Sequence, residues 1–96
     1  MEENIGAHLF VSGKVQGVFY RKHAQQKAKE FGLTGWVHNL IDGRVEISVE
    51  GEKEHTEQFI LWAKEGSPFA QVEDVRVEWK PYEGKWNDFE VREFGF

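Results

Sequence analysis

The fold is decided within residues 7–32, which read AHLFVSGKVQGVFYRKHAQQKAKEFG. Residues 7–12 carry apolar side chains on both faces of an extended chain, a pattern that predicts a central strand. A loop punctuated by glycines follows. From Arg21 to Phe31 apolar residues recur at i, i+4 and i+7, which predicts a helix that stops at Gly32. The stretch therefore predicts a strand, a loop and a helix.

The rest of the chain continues with five more predicted elements. Two strands flank Asp42-Gly43, a pair typical of a two-residue type I′ hairpin turn. The later of these strands alternates apolar and charged residues, so we expect one of its faces to be exposed to solvent. A second helix and two further strands follow. The predicted bounds are strand 36–41, strand 44–50, helix 52–65, strand 75–79 and strand 89–93.

The order of elements is β-α-β-β-α-β with a short additional strand. This is the split β-α-β, or ferredoxin-like, pattern of α+β proteins. It predicts an antiparallel sheet of four to five strands with both helices on one face. We expect the strand order 4-1-3-2, with the pairing of the fifth strand left open. The 96 residues predict a single domain, residues 1–96.

Composition excludes several classes of function. The absence of cysteine excludes disulfides and thiolate chemistry and fits a reducing compartment. The acidic N-terminus lacks the apolar segment of a signal peptide, and no apolar run approaches the ~18 residues of a membrane span. We therefore expect a cytoplasmic protein with no membrane partner. A monomer is expected as well, without a sequence feature that indicates it. The net charge of −5 argues against a nucleic-acid partner. The histidines show no metal-ligand spacing, so we expect no metal and no other cofactor.

The start of the first predicted helix departs from the usual charge pattern. Arg21, Lys22 and His23 crowd a helix N-terminus, where the macrodipole is positive and acidic residues are favoured. A bound anion would reverse that cost. Gly13 and Gly17 let the preceding loop approach a ligand closely, so that its amides can converge on an anion. The segment predicts a phosphate cradle, and the alternative is a surface loop followed by a solvated basic turn.

Asn39 is the second departure from local rules. Asparagine is depleted in strands, yet this residue lies among apolar neighbours of the second predicted strand. One interpretation is that the strand ends early and Asn39 belongs to the turn. The other is a fixed side-chain amide whose oxygen accepts a hydrogen bond from water.

Other polar residues are weaker candidates. Ser12 has no base partner in the pattern, so we do not expect it to be a nucleophile. Glu46 and Glu50 share one face of the third strand, which we interpret as a solvated face rather than a catalytic pair. Surface or half-buried roles are expected for the four histidines.

At the two departures the sequence resembles the acylphosphatase family. Residues 13–21, GKVQGVFYR, look like that family's phosphate-binding signature. Residues 35–39, GWVHN, followed by DGRVE at 42–46, look like its second signature. Two long signatures at this separation are specific, and the likeness extends over about residues 9–79. The resemblance implies a ferredoxin-like fold, phosphate binding by Arg21 and positioning of a water molecule by Asn39.

The resemblance also implies a substrate, R–CO–O–PO₃²⁻, that is hydrolysed to a carboxylate and inorganic phosphate. The carboxylate leaving group has a low pKa, so no strong general acid is required. Inorganic phosphate and sulfate are expected to compete with the substrate. A substrate phosphate oxygen is the expected acceptor of the water's proton. The phosphoryl group is expected to be bound by the guanidinium of Arg21 and by the backbone amides of Lys14, Val15, Gln16, Gly17, Val18, Phe19 and Tyr20.

A non-catalytic binding module is the competing class of function. RNA-recognition domains share the expected fold and stack bases on aromatic residues of the sheet. The predicted third strand has no aromatic residue, and the net charge is negative. A regulatory module that binds a small anion stays open as the alternative.

Overall fold

The strands and helices follow one another along the chain in the predicted order. The computed structural model describes residues 3–93. Neither helix in this range has the length and apolarity that a membrane crossing requires. The elements are β1 (Asn4–Lys14), α1 (Tyr20–Glu30), β2 (Thr34–Asn39), β3 (Val45–Glu52), α2 (Lys53–Glu65), β4 (Gln71–Lys80) and β5 (Phe89–Val91).

The sheet has five strands in the order β4-β1-β3-β2-β5, which confirms the predicted order of the four main strands. Strand β1 is central, as predicted, because Leu9 pairs with Ile47 of β3 on one side and Val77 of β4 on the other. The pairs that these four strands form with one another are all antiparallel. Strand β5 runs parallel to β2, so the expectation of a purely antiparallel sheet is wrong at this edge. A three-residue strand holds too little periodicity to indicate its direction.

Both helices pack on one face of the sheet and enclose the core. Alternate side chains of the central strands point to this face, and fully burying each Val, Leu or Ile contributes about 1.5–3 kcal/mol. The two helices contribute small and aromatic residues to the same core. Its members include Leu9, Val11, Ala24, Ala28, Val37, Val45, Ile47, Val49, Phe59 and Ala63. This packing fixes the position of the last residues of β2 relative to the first residues of α1.

The opposite face of β3 is less exposed than predicted. The Glu46 carboxylate accepts hydrogen bonds from His8 Nε2 at 2.5 Å and His38 Nε2 at 2.6 Å. Burial opposes ionisation of Glu46, but these two hydrogen bonds outweigh it and lower its pKa below the ordinary value. Glu50 is buried and accepts the backbone N–H groups of residues 83 and 84. The interpretation of both glutamates as solvated is therefore wrong, because alternation does not show what covers a face.

The loop between β2 and β3 differs from the predicted turn. Strand β2 ends at Asn39, two residues early, and the Leu40 N–H donates to Arg44 O at 2.8 Å. The Gly43 N–H donates to Leu40 O at 3.2 Å, and in this loop the positive φ of 97° falls on Gly43 and not on Asp42. A type I′ turn needs a positive φ at both central residues, so that prediction is wrong. The three-residue loop 41–43 with glycine last is the next most common hairpin form.

Candidate active site

A pocket of about 520 Å³ opens where the loop after β1, the start of α1 and the end of β2 meet. It brings together the two residues at which the sequence departs from local rules, Arg21 and Asn39, although they belong to different elements. The residues that line it are Val15, Gly17, Phe19, Tyr20, Arg21, Lys22, Gln25, Asn39 and Val91.

The backbone of the loop is bent at two left-handed residues. Gly17 has a φ of 74°, and Phe19 has φ 61° and ψ 22°. Phe19 has a bulky side chain, for which this conformation costs on the order of 1–3 kcal/mol. Such turns aim successive N–H groups into one concavity, which is the geometry of a backbone anion site. The loop therefore has left-handed residues of the kind that such a site uses, and convergence of its amides stays a prediction.

Helix α1 begins directly after this bend. In the described part of the chain, no side chain caps its N-terminus and its first turn holds no acidic residue. The first N–H groups of a helix have no partner within the helix, and they carry the positive end of the macrodipole. Together with Arg21 and Lys22, this end of α1 makes the pocket locally positive in a chain of net charge −5.

Arg21 is half-buried and anchored to the edge of the sheet. Its Nη1 donates to the backbone oxygen of Arg92 at 3.0 Å. The Arg92 N–H donates in turn to Val37 O at 2.8 Å, and its guanidinium packs on the rings of Trp36 and Trp86 at 4.9 and 5.2 Å. A guanidinium has five N–H donors, so Arg21 keeps donors for two oxygens of an anion.

Asn39 is the last residue of β2 and pairs with Val45 in the sheet. The strand does end early, as the first interpretation proposed, yet the residue keeps its place in the ladder. Its Oδ1 is buried and has no hydrogen-bond partner among the described residues. An unpaired buried acceptor costs about 1–3 kcal/mol, and rotation of the amide by 180° exchanges its oxygen and nitrogen. Asn39 therefore offers unused hydrogen-bonding capacity at the pocket wall.

Three of the eight predicted phosphate-binding residues do not line the pocket. Lys14 is exposed at the end of β1, and the Val18 side chain is buried in the core. The Gln16 side chain points to the β2–β3 loop, where its Nε2 donates to Leu40 O at 2.7 Å and Arg44 O at 2.9 Å. Gln16 thereby ties the predicted cradle to the chain that directly follows Asn39.

Tyr20 lines the pocket, but its hydroxyl is bound to α2. The side chain is buried, and its hydroxyl donates to Ala63 O in the last turn of α2 at 2.8 Å. Burial raises the pKa of this phenol well above its ordinary value, so it stays protonated.

The sequence analysis missed two of the lining residues, Gln25 and Val91. Gln25 lies one helical turn after Arg21, and this i, i+4 spacing was a usable signal. Its Nε2 donates to Phe89 O at 3.0 Å and so holds β5 against α1. Val91 lines the pocket from β5, whose pairing the sequence left open. Within residues 3–93 no three His, Asp or Glu side chains are grouped to hold a metal ion.

Comparison with known proteins gives a consistent result. A family model described as acylphosphatase matches residues 7–91. The chain is 47% identical over 90 residues to an acylphosphatase of Pyrobaculum islandicum, covering 93% of this chain and 95% of that protein. It is similar to the structure of an acylphosphatase from Coxiella burnetii, with 44% identity, a TM-score of 0.88 and 93% of each chain covered. It is also similar to the crystal structure of acylphosphatase from Bacillus subtilis, with 36% identity, a TM-score of 0.89 and coverage of 92% and 98%.

Proposed function

The chain belongs to the acylphosphatase family, and on that premise we propose that Arg21 and Asn39 carry its reaction in the pocket between α1 and β2. The reaction is hydrolysis of an acyl phosphate to a carboxylate and inorganic phosphate. One observation carries the residue assignment. An anchored guanidinium, an uncapped helix start and an amide with an unpaired oxygen meet in one pocket.

Arg21 and the loop amides hold the phosphoryl group. The substrate phosphate is an anion before the reaction, and in a loose transition state its charge spreads over the equatorial oxygens. The guanidinium plane matches two of these oxygens, and backbone N–H groups of the loop and of the first turn of α1 reach the others. In acyl-transfer sites each such preorganised donor is worth about 3–4 kcal/mol.

Asn39 holds the attacking water in line with the bond that breaks. The water oxygen attacks phosphorus, the bond from phosphorus to the acyl oxygen breaks, and the carboxylate leaves with the electron pair. Among residues 3–93, those that line the pocket include no carboxylate and no histidine. The water's proton therefore goes to an oxygen of the transferred phosphate. Asn39 contributes orientation, which is the part of the barrier that positioning of reactants removes.

Inhibition kinetics test the location of the site. Inorganic phosphate and sulfate should compete with a model acyl phosphate, because both present tetrahedral oxygens to the same donors. The assay is run before and after exhaustive chelation, which should leave the rate unchanged because the low-pKa leaving group needs no Lewis acid. Purely noncompetitive inhibition, or a chelated enzyme that Mg²⁺ or Zn²⁺ reactivates, would contradict the proposal.

The comparisons do not favour the alternative of an anion-binding module without turnover. The single domain, the monomer and the cytoplasmic location stay predictions. Light scattering of the purified chain checks the second of these, with the mass of one 11.2 kDa chain expected.

A further inference from the structure

We propose that Ser67 is a positioning residue for the phosphate site, an inference that rests on the function proposed above. Ser67 lies outside the pocket, in the turn that follows α2, and only 3% of it is exposed. Its Oγ donates to the backbone oxygen of Val18 at 2.9 Å. Val18 belongs to the loop that precedes α1, and its side chain is buried as well.

This hydrogen bond sets the direction of one amide at the pocket. The Val18 carbonyl and the Phe19 N–H belong to one planar trans peptide, so they point in opposite directions. Ser67 draws the carbonyl inward. The Phe19 N–H therefore points away from Ser67, and Phe19 is one of the residues that line the pocket. Ser67 thus acts on the anion through an amide that it does not touch.

The next peptide, between Phe19 and Tyr20, is held by His23 of α1. The Phe19 carbonyl accepts hydrogen bonds from the His23 backbone N–H at 3.1 Å and from His23 Nδ1 at 2.9 Å. Both peptides that flank Phe19 are therefore fixed by partners. A bulky residue resists a left-handed conformation, so these contacts must maintain it. Without Ser67, the Val18–Phe19 peptide can rotate and take its N–H out of the pocket.

Ser67 is itself well placed to hold a peptide still. The Gly66 N–H donates to Trp62 O at 2.7 Å and closes α2, and the Ala70 N–H donates to Ser67 O at 3.0 Å across a turn that begins Ser67-Pro68. Gly66 has a φ of 83°, and a Cβ there would lie 3.3 Å from Tyr20 Cε2. The C-terminal end of α2 therefore packs closely against the start of α1.

A matched pair of variants separates positioning from stability. Ser67→Ala removes the hydroxyl beneath the loop. Thr56→Val removes a hydroxyl that is also buried and donates to a carbonyl, Glu52 O, at 2.9 Å, but at the opposite end of α2. Both variants should lower the melting temperature. Only Ser67→Ala should also raise the Kd for inorganic phosphate about tenfold and lower kcat/KM by about 10–100-fold.

The conservative variant and the wild type complete the test. Ser67→Thr keeps a hydroxyl and should recover most of the phosphate affinity. In the wild type, inorganic phosphate should shift the NMR amide signal of Phe19 strongly, which can be measured even if Ser67→Ala does not fold. Two results would overturn the inference. One is a folded Ser67→Ala variant whose Kd for phosphate is unchanged. The other is a Phe19 amide signal that does not shift with phosphate while the other amides of the loop do. A wild type in which phosphate shifts no amide of residues 15–21 overturns the proposed function itself.

Discussion

The two helices of this protein begin with different charge patterns. Among the residues that the structure describes, no side chain caps the N-terminus of either helix, but the first turn of α2 pairs the cation Lys53 with an acidic residue. Glu54 lies in its first turn, where a negative charge is favourable. The Lys53 N–H donates to Glu3 O at 2.8 Å, and the Thr56 hydroxyl bonds back to Glu52 O. The α2 start therefore balances the charge of Lys53 with that of Glu54.

Helix α1 has no such balancing charge in its first turn. Its first turn holds the cations Arg21 and Lys22 and no acidic residue, and the strained Phe19 precedes it. Each misplaced charge costs about 0.3–1 kcal/mol. The structure nevertheless holds this start in place, because Tyr20 donates a buried hydrogen bond to α2 and Arg21 donates one to Arg92, which follows β5. A helix start that is held in place and carries only positive charge is suited to bind an anion, whereas a start whose charges balance is less so.

The largest change in activity is expected at Asn39, which lines the same pocket as the start of α1. Asn39→Ala should reduce kcat by on the order of 10²–10³, because the water loses its orientation. The Kd for inorganic phosphate should stay within about a few-fold of wild type, since the amide does not hold the anion. Steady-state kinetics and calorimetry measure the two quantities. Near-normal turnover in the folded variant would remove Asn39 from the mechanism.

A smaller effect is expected at Gln16, which links the cradle to the β2–β3 loop. Gln16→Leu keeps the bulk but loses both hydrogen bonds to the carbonyls that follow Asn39. We expect kcat to fall about tenfold with a smaller change in phosphate affinity, because misplacement of the water by a fraction of an ångström is costly. Gln26→Leu on the exposed side of α1 is the control and should leave kcat unchanged. Equal kinetics in the two variants would show that the link has no role.

The smallest effects come from exchanging the charge patterns of the two helix starts. Lys22→Glu gives α1 the acidic first turn that it lacks and should raise the free energy of unfolding by about 0.3–1 kcal/mol. It should also weaken phosphate binding by about three- to tenfold, because the new carboxylate repels the anion. Glu54→Lys at α2 should lower stability by a similar amount.

Phosphate affinity is the readout that distinguishes these two exchanges. Glu54→Lys lies away from the pocket and should leave the Kd unchanged. Thermal melts and phosphate titrations at one fixed ionic strength compare the variants, since salt screens such charges. If both exchanges changed the Kd equally, net charge rather than the α1 start would govern binding.

The fold was predictable where elements are long enough to show a period. The run of β1 with apolar residues on both faces and the helical spacing of Ala24 and Ala28 predicted their elements. The β-α-β-β-α-β order of all elements predicted the strand order. Strand β5 has three residues and no usable period, so its parallel pairing was not predictable. Asp42-Gly43 predicted a turn correctly and its type wrongly, because Asp42 keeps a negative φ while its carboxylate accepts the Arg44 N–H.

The site was predictable in part for a different reason. Arg21 and Asn39 break local preferences, so the sequence itself marks them, and the structure places both in one pocket. Arg92 and Ser67 leave no such mark. Arg92 accepts from Arg21 through its backbone oxygen, 71 residues along the chain. Ser67 donates its hydroxyl to the backbone oxygen of Val18, 49 residues away. Contacts of that kind depend on the packed fold and not on any local pattern.

The central claim is that the α1 start and its loop, and not the α2 start, hold the phosphoryl group. Calorimetric titration of inorganic phosphate into the wild type, Arg21→Ala and Lys53→Ala tests it most directly, since each variant removes one cation from the first turn of one helix. We predict one phosphate bound per chain, at least about tenfold weaker binding in Arg21→Ala and unchanged binding in Lys53→Ala. Arg21→Lys should recover little, because an ammonium cannot reproduce the planar pair of donors. An Arg21→Ala chain that melts normally and binds phosphate as tightly as the wild type would contradict the account.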